Sequence, residues 1–190
     1  MKRFIVVDGL DGAGKDTHAR FIAERYLLRG EKVVIRTHPS DSFFGRKAKK
    51  SLLGRGKINH FKASIFYFLD VINSLLRYYG KADNVIFVRY IGGVFYLPFV
   101  FAKILYRFFS TILPTSQYMF FLDAEPEVLA ERVARRENRE MFENLEDLFR
   151  VRERALKLLK GWHIIRTDRE IEETRAEIEK ILKNLDEFLA

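Results

Sequence analysis

A strand that runs directly into a glycine loop and out into a helix limits the folds open to this chain more than any other feature of its 190 residues. Residues 4–8, Phe-Ile-Val-Val-Asp, read as a buried strand, and from Lys15 onward Ala19, Ile22, Ala23, Tyr26 and Leu27 recur at helical spacing until Gly30 ends the run. Between them lies Gly9-Leu10-Asp11-Gly12-Ala13-Gly14-Lys15, and Gly-x-x-x-x-Gly-Lys between strand and helix is the pattern of a phosphate-binding loop. Glycines let consecutive backbone N–H groups turn inward around a phosphate. The helix N-terminus adds its positive dipole end, and Lys15 is placed to neutralise outer phosphate oxygens. A plain glycine-rich turn is the competing account, and the spacing, the lysine and the flanking elements together argue against it.

The loop departs from its pattern once. Asp16 stands where Ser or Thr usually offers Mg2+ a hydroxyl, and Thr17 comes one residue late. A carboxylate is a good Mg2+ ligand but sets a negative charge beside the phosphates, which the metal must offset. Asp16 is therefore either a substitute metal ligand or a mark of lost activity.

Further along, apolar stretches at residues 32–37, 85–88, 118–122 and 162–166 read as strands, with helices expected over 57–79, from Pro126 onward, and over 169–189. Strands that are apolar throughout, alternating with helices, predict an α/β fold with crossover connections and a parallel sheet covered on both faces. Asp123 is expected to cap the helix that carries Pro126 in its first turn and Val128, Leu129, Arg132 and Val133 along it. With 48% apolar residues, 1–190 has enough core for one domain. The absence of cysteine excludes disulfides, thiolate catalysis and zinc-thiolate sites, and four scattered histidines argue against a metal cage. Met1-Lys2-Arg3 enters the first strand without a leader-like apolar segment, so the cytoplasm is the expected location.

The formal net charge of +8 is concentrated in the middle: residues 42–122 hold twelve Lys and Arg against Asp70 and Asp83, and 20 of the 27 aromatic residues. Such a segment suits an anionic ligand or surface. Residues 91–113 are largely apolar, yet Pro98, Lys103 and Arg107 interrupt them and the unbroken run 91–102 is too short to span a bilayer. A buried helix or dimer face is the expected reading; an interfacial helix with Lys103 and Arg107 reaching lipid headgroups, giving weak membrane-surface association, is the alternative.

These residues together resemble the thymidylate kinase family of P-loop nucleoside monophosphate kinases. The likeness runs from residues 4–15 through Val85-Ile86-Phe87-Val88-Arg89-Tyr90 and residues 121–132 to 143–159, with Phe149, Val151, Arg152 and Leu158. It implies a three-layer P-loop kinase fold, with a central parallel sheet flanked by helices, and a homodimer through the central helices. It also implies ATP as phosphate donor with Mg2+, and transfer to a nucleoside monophosphate, dTMP foremost. By the same resemblance, Lys15 holds the transferred phosphoryl group, Asp11 faces the acceptor's sugar hydroxyl and Arg89 grips the acceptor phosphate. Members with Gly at the position of Gly12 take their catalytic arginine from a lid, expected here at about 135–147, with Arg135, Arg136 and Arg139 as candidates or as an ordinary solvated face. Phe66 and Phe68 are candidates to stack the base and Asp70 to hold the acceptor, with helix core and a structural carboxylate as the competing accounts.

Departures cluster on the acceptor side. The family's Asp-Arg-Tyr becomes Val88-Arg89-Tyr90, its Thr-Arg-Glu-Pro-type loop becomes Thr37-His38-Pro39-Ser40, and an arginine after Asp70 becomes Val71. Gly92-Gly93 and Leu97-Pro98 stand where polar base-reading residues are usual. Two further functions stay open on these grounds. One is a kinase for another anionic acceptor, such as another nucleotide, polyphosphate or a membrane-associated phosphate. The other is a non-catalytic nucleotide- or nucleic-acid-binding relative, hinted at by Arg46-Lys47-Ala48-Lys49-Lys50, although such basic runs are usually solvated surface.

Overall fold

The computed structural model describes residues 2–54, 57–135 and 145–188. Five parallel strands, β1 (Arg3–Gly9), β2 (Val33–Thr37), β3 (Asn84–Val88), β4 (Met119–Asp123) and β5 (His163–Arg166), form one sheet in the order β2-β3-β1-β4-β5. β1 is central, pairing Phe4 with Val85 on one side and Val6 with Met119 on the other. Its Ile5, Val6 and Val7, with Ile86, Phe87, Phe120 and Phe121 on its neighbours, are sealed from solvent, which is why these strands carry no polar alternation. Chain order reverses direction across the sheet at β1, so the crevice beyond its carboxyl end is where an open α/β sheet binds ligands.

The helices are α1 (Lys15–Leu27), α2 (Phe43–Leu52), α3 (Lys57–Tyr78), α4 (Phe99–Ile112), α5 (Pro126–Ala134), α6 (Leu145–Leu158) and α7 (Ile171–Phe188). The α/β architecture and parallel strands match the sequence expectation, with boundaries moved by one or two residues. α2 covers a segment whose sequence shows only a basic run. Ser42 opens it by accepting from the Gly45 N–H (3.1 Å), and Ala48 turns inward while Lys49 and Lys50 stay in water. The apolar segment 91–113 does not form one helix. It breaks at Leu97-Pro98 into a short 3-10 turn, Gly92–Tyr96, and α4, whose Ala102 and Tyr106 are buried. Among the described residues, no helix is long and apolar enough to cross a membrane.

Asp123 does not cap α5. Glu125 occupies the N-cap without a side-chain bond, and Pro126 starts the helix, needing no donor. Asp123 instead receives the Arg152 guanidinium at 2.8 and 2.9 Å and Arg166 at 3.3 Å, an ion network across the ends of β4, β5 and α6 that Glu125 and Asp168 extend. At the opposite end of the sheet, Asp186 fastens α7 by accepting from Arg3, Arg25 and Tyr118.

Candidate active site

The loop after β1 takes a shape that only glycine can take. Gly9, Gly12 and Gly14 have φ of 149°, 86° and 80°. A Cβ on Gly9 would lie 2.5 Å from the Leu122 carbonyl oxygen, and one on Gly12 would lie 2.8 Å from that of Leu129. Gly14 stands at the N-cap of α1 without a side-chain cap, which leaves first-turn N–H groups directed into the loop. Leu10 and Ala13 are buried beneath it, and the Arg132 guanidinium of α5 donates to the Gly12 carbonyl (3.3 Å) and the Thr167 carbonyl (2.7 Å), tying the loop to the segment after β5.

Lys15 is 3% exposed. Its ammonium donates to the Leu10 carbonyl (2.6 Å) and approaches Asp11 Oδ1 (3.4 Å). Burial lowers its pKa, with Asp11 opposing. Burial alone would raise the Asp11 carboxyl, yet Lys15 and Arg89 outweigh it and hold the group at about 2. Asp11 is thus an anion shared by a lysine, an arginine (Nη2, 3.3 Å) and the Tyr96 hydroxyl (3.3 Å).

Across the cleft, Arg89 adopts φ 59°, a left-handed conformation that costs a non-glycine residue about 1–3 kcal/mol and persists only where its surroundings impose it. Here its N–H donates to the Val7 carbonyl (3.2 Å) and its carbonyl accepts from the Tyr67 hydroxyl (2.6 Å). Beside it, Asp8 is buried and accepts from the N–H groups of Tyr90 (3.0 Å), Ile91 (3.1 Å) and Gly92 (2.7 Å). The carboxylate fills the space a side chain at Gly92 would need, so this departure from the expected polar pattern has a packing cause. Asp16, half exposed at the start of α1, accepts from the Thr37 hydroxyl (3.3 Å) through Oδ1 and faces Arg89 Nη1 (3.6 Å) through Oδ2.

The cleft therefore joins an anion cradle to a fixed arginine, with two carboxylates, Asp11 and Asp16, reaching that arginine. The Thymidylate kinase family profile matches residues 7–178. The chain belongs to the thymidylate kinase family. A probable thymidylate kinase of Archaeoglobus fulgidus is 29% identical over 187 residues, covering 95% of this chain and 94% of the relative. A thymidylate kinase of Leptospira borgpetersenii is 29% identical over 162 residues, covering 78% and 77%. Among solved structures, thymidylate kinase from Candida albicans shares the fold at TM-score 0.76 and 16% identity, over 97% of this chain and 92% of that one.

The expected site residues of this thymidylate kinase family member divide into those at the cleft and those elsewhere. Gly9 to Lys15, Asp16 and Arg89 converge there, and Thr17 is exposed one position further along α1. Asp70 does not face the cleft. It is sealed from solvent and accepts from the Ser40 N–H (2.6 Å), the Ser40 hydroxyl (2.7 Å) and the Ser42 hydroxyl (2.5 Å), pinning the 38–42 loop to α3. Phe68 stacks on Phe109 of α4 at 4.8 Å, and Phe66 lies under the Lys47 ammonium at 5.2 Å, so neither is left to stack a base. The aromatics that touch the cleft residues are instead Tyr67, through the Arg89 carbonyl, and Tyr96, through Asp11. Helical spacing carried the signal: Ala63, Tyr67, Val71 and Ser74 share one face, and Ala63, Val71 and Ser74 are buried. Arg135 ends α5, exposed and paired with Glu131. Arg136, Arg139 and most of the expected lid lie outside the described residues. Tyr96, Asp8 and Arg132 had no site role in the sequence reading, because each acts on a partner distant in the chain.

The anion cradle suits a nucleotide's phosphates. Mg2+ is less well provided for: the loop hydroxyl is missing at position 16, and both Asp16 oxygens already face Thr37 and Arg89. Among the described residues, no three His, Asp or Glu side chains gather as a metal site.

Proposed function

We propose that this protein phosphorylates dTMP to dTDP with ATP as donor. The observation that carries this reading is the convergence of the glycine cradle and Arg89 on Asp11, within a chain of the thymidylate kinase family. The loop N–H groups and Lys15 hold the donor's outer phosphates, and Arg89 offers its remaining donors to the acceptor's phosphate. An acceptor oxygen then attacks the γ-phosphorus in line as the bond to the ADP oxygen breaks, so no covalent enzyme intermediate is required. Catalysis consists of positioning and of charge held ready before reaction, with Asp11 turned toward the acceptor's sugar hydroxyl and Arg135, Arg136 and Arg139 assigned to the charge that develops on the transferred group. Mg2+ chemistry is left to the nucleotide's own phosphate oxygens, since no cluster of three His, Asp or Glu gathers as a metal site among the described residues.

The same reading treats 1–190 as one cytoplasmic domain that pairs as a homodimer through central helices. Ile65, Leu76, Phe101, Ile104 and Phe108, exposed on α3 and α4, support the pairing. ADP release measured with ATP against a panel of nucleoside monophosphates and polyphosphate tests the function. The expected result is highest kcat/KM with dTMP. Turnover of polyphosphate or another anion but not of dTMP would move the protein to the alternative acceptor class.

A further inference from the structure

We propose that Asp16 is a positioning residue for Arg89: with Asp11 it forms a two-carboxylate clamp that aims the guanidinium at the acceptor's phosphate. This rests on the assignment of Arg89 to that phosphate. The clamp draws its parts from separate elements. Asp11 of the glycine loop takes Nη2 at 3.3 Å, and Asp16 of α1 faces Nη1 at 3.6 Å. The arginine's own backbone is fixed by Val7 on one side and by Tyr67 on the other. The side chain thus leaves a fixed point and is bracketed at its far end.

Asp16 is in turn oriented by Thr37 at the end of β2, so the strand, the helix and the arginine form one relay of contacts. A free arginine loses much rotamer freedom when it closes on a phosphate, and one held beforehand loses less. Of its five N–H donors, those not turned to Asp11 and Asp16 remain for the ligand. The arrangement also gives meaning to Val88. That position is sealed in the core and carries no carboxylate next to Arg89, and α1 supplies one from the other side instead. A carboxylate serving Mg2+ would have to release Arg89 or Thr37.

Asp16 also repels an incoming phosphate, so positioning and repulsion act in opposite directions and the sign of the effect decides between them. The test is a double-mutant cycle on dTMP binding by calorimetry, in EDTA and without ATP, using the unaltered chain, Asp16→Ala, Arg89→Ala and the double variant. Asp16→Ala is expected to weaken dTMP binding about two- to fivefold, the range of a partly exposed charge pair. In the Arg89→Ala background the same change is expected to leave binding unchanged or slightly tighter, because only the repulsion then remains. Unchanged or tighter binding of Asp16→Ala, or an equal penalty without Arg89, overturns the clamp. So does a defect confined to turnover that excess Mg2+ relieves, which would make Asp16 a metal ligand. If Arg89→Ala leaves dTMP binding intact, the assignment of Arg89 to the acceptor phosphate fails first and the clamp with it. Should Arg89→Ala not fold, Arg89→Lys replaces it, keeping the charge and losing the fork.

Discussion

The two sides of the cleft are built by different means. On the donor side the working groups are backbone N–H groups and one lysine, and the geometry comes from glycine conformations wedged against Leu122 and Leu129. On the side proposed for the acceptor the groups are side chains, Arg89, Tyr67 and Tyr96, each bonded to a partner far away in sequence. A side-chain cage can exchange members, as Val88 and Asp16 illustrate, as long as some carboxylate still reaches the arginine.

The largest expected effect lies on the donor side. Lys15→Ala should lower kcat about 10²- to 10³-fold, the usual cost of removing one preorganised donor, while dTMP binding changes little. An equal loss of dTMP affinity would mean that the two sides are not separable. On the acceptor side, Asp70→Ala leaves two buried donors of Ser40 and the partly buried Ser42 hydroxyl without their acceptor, and should cost about 3 kcal/mol in urea unfolding and raise KM for dTMP. A rise in KM with unchanged stability would instead return Asp70 to the acceptor itself. Gly12→Ala, at φ 86° against the Leu129 backbone, should cost about 2 kcal/mol and weaken ATP more than dTMP.

Acid separates the sides differently. His18, behind the donor loop, and His38, in the acceptor loop, are both held neutral with pKa about 4, by burial in each case and at His18 also by Arg175 and Arg132. The unfolded chain binds these protons from about pH 6.5 downward and the folded chain does not. Stability is therefore full above that pH and falls on the way to about 4, by up to about 1.4 kcal/mol per pH unit for each histidine. His18→Gln should flatten part of this decline in a pH series of unfolding midpoints, with the remainder assigned to His38. Smallest of all, Arg135→Ala should change stability by less than about 0.5 kcal/mol, because its pair with Glu131 is exposed, so any fall in kcat reports a lid function rather than lost structure.

The glycine loop, the flanking strand and helix, and the apolar strands were readable from the chain because each is a local pattern: consecutive residues, or residues one helical turn apart. The same holds for Lys15, whereas Arg89 at the end of β3 is singled out only by the family resemblance. Phe66 and Phe68 stay open between base stacking and helix core in the sequence, and the fold turns them to Lys47 of α2 and Phe109 of α4. Asp123 looked like a cap because a proline-led helix follows it. Only the fold brings Arg152 and Arg166 to it from α6 and β5. The 3-10 turn at Gly92–Tyr96 was likewise hidden, since it depends on Asp8 collecting three backbone donors from a segment more than eighty residues away.

The sequence by itself determined that a phosphate would be held at the end of the first strand, because glycine's freedom at positive φ and a lysine at fixed spacing are properties of neighbouring residues. The tertiary structure alone decided what surrounds that phosphate. Tyr67, Tyr96, Thr37 and Asp16 meet around Arg89 only when α3, the segment after β3, β2 and α1 are packed on one sheet. The energy that holds the arginine aimed comes from those long-range contacts, which no local pattern encodes.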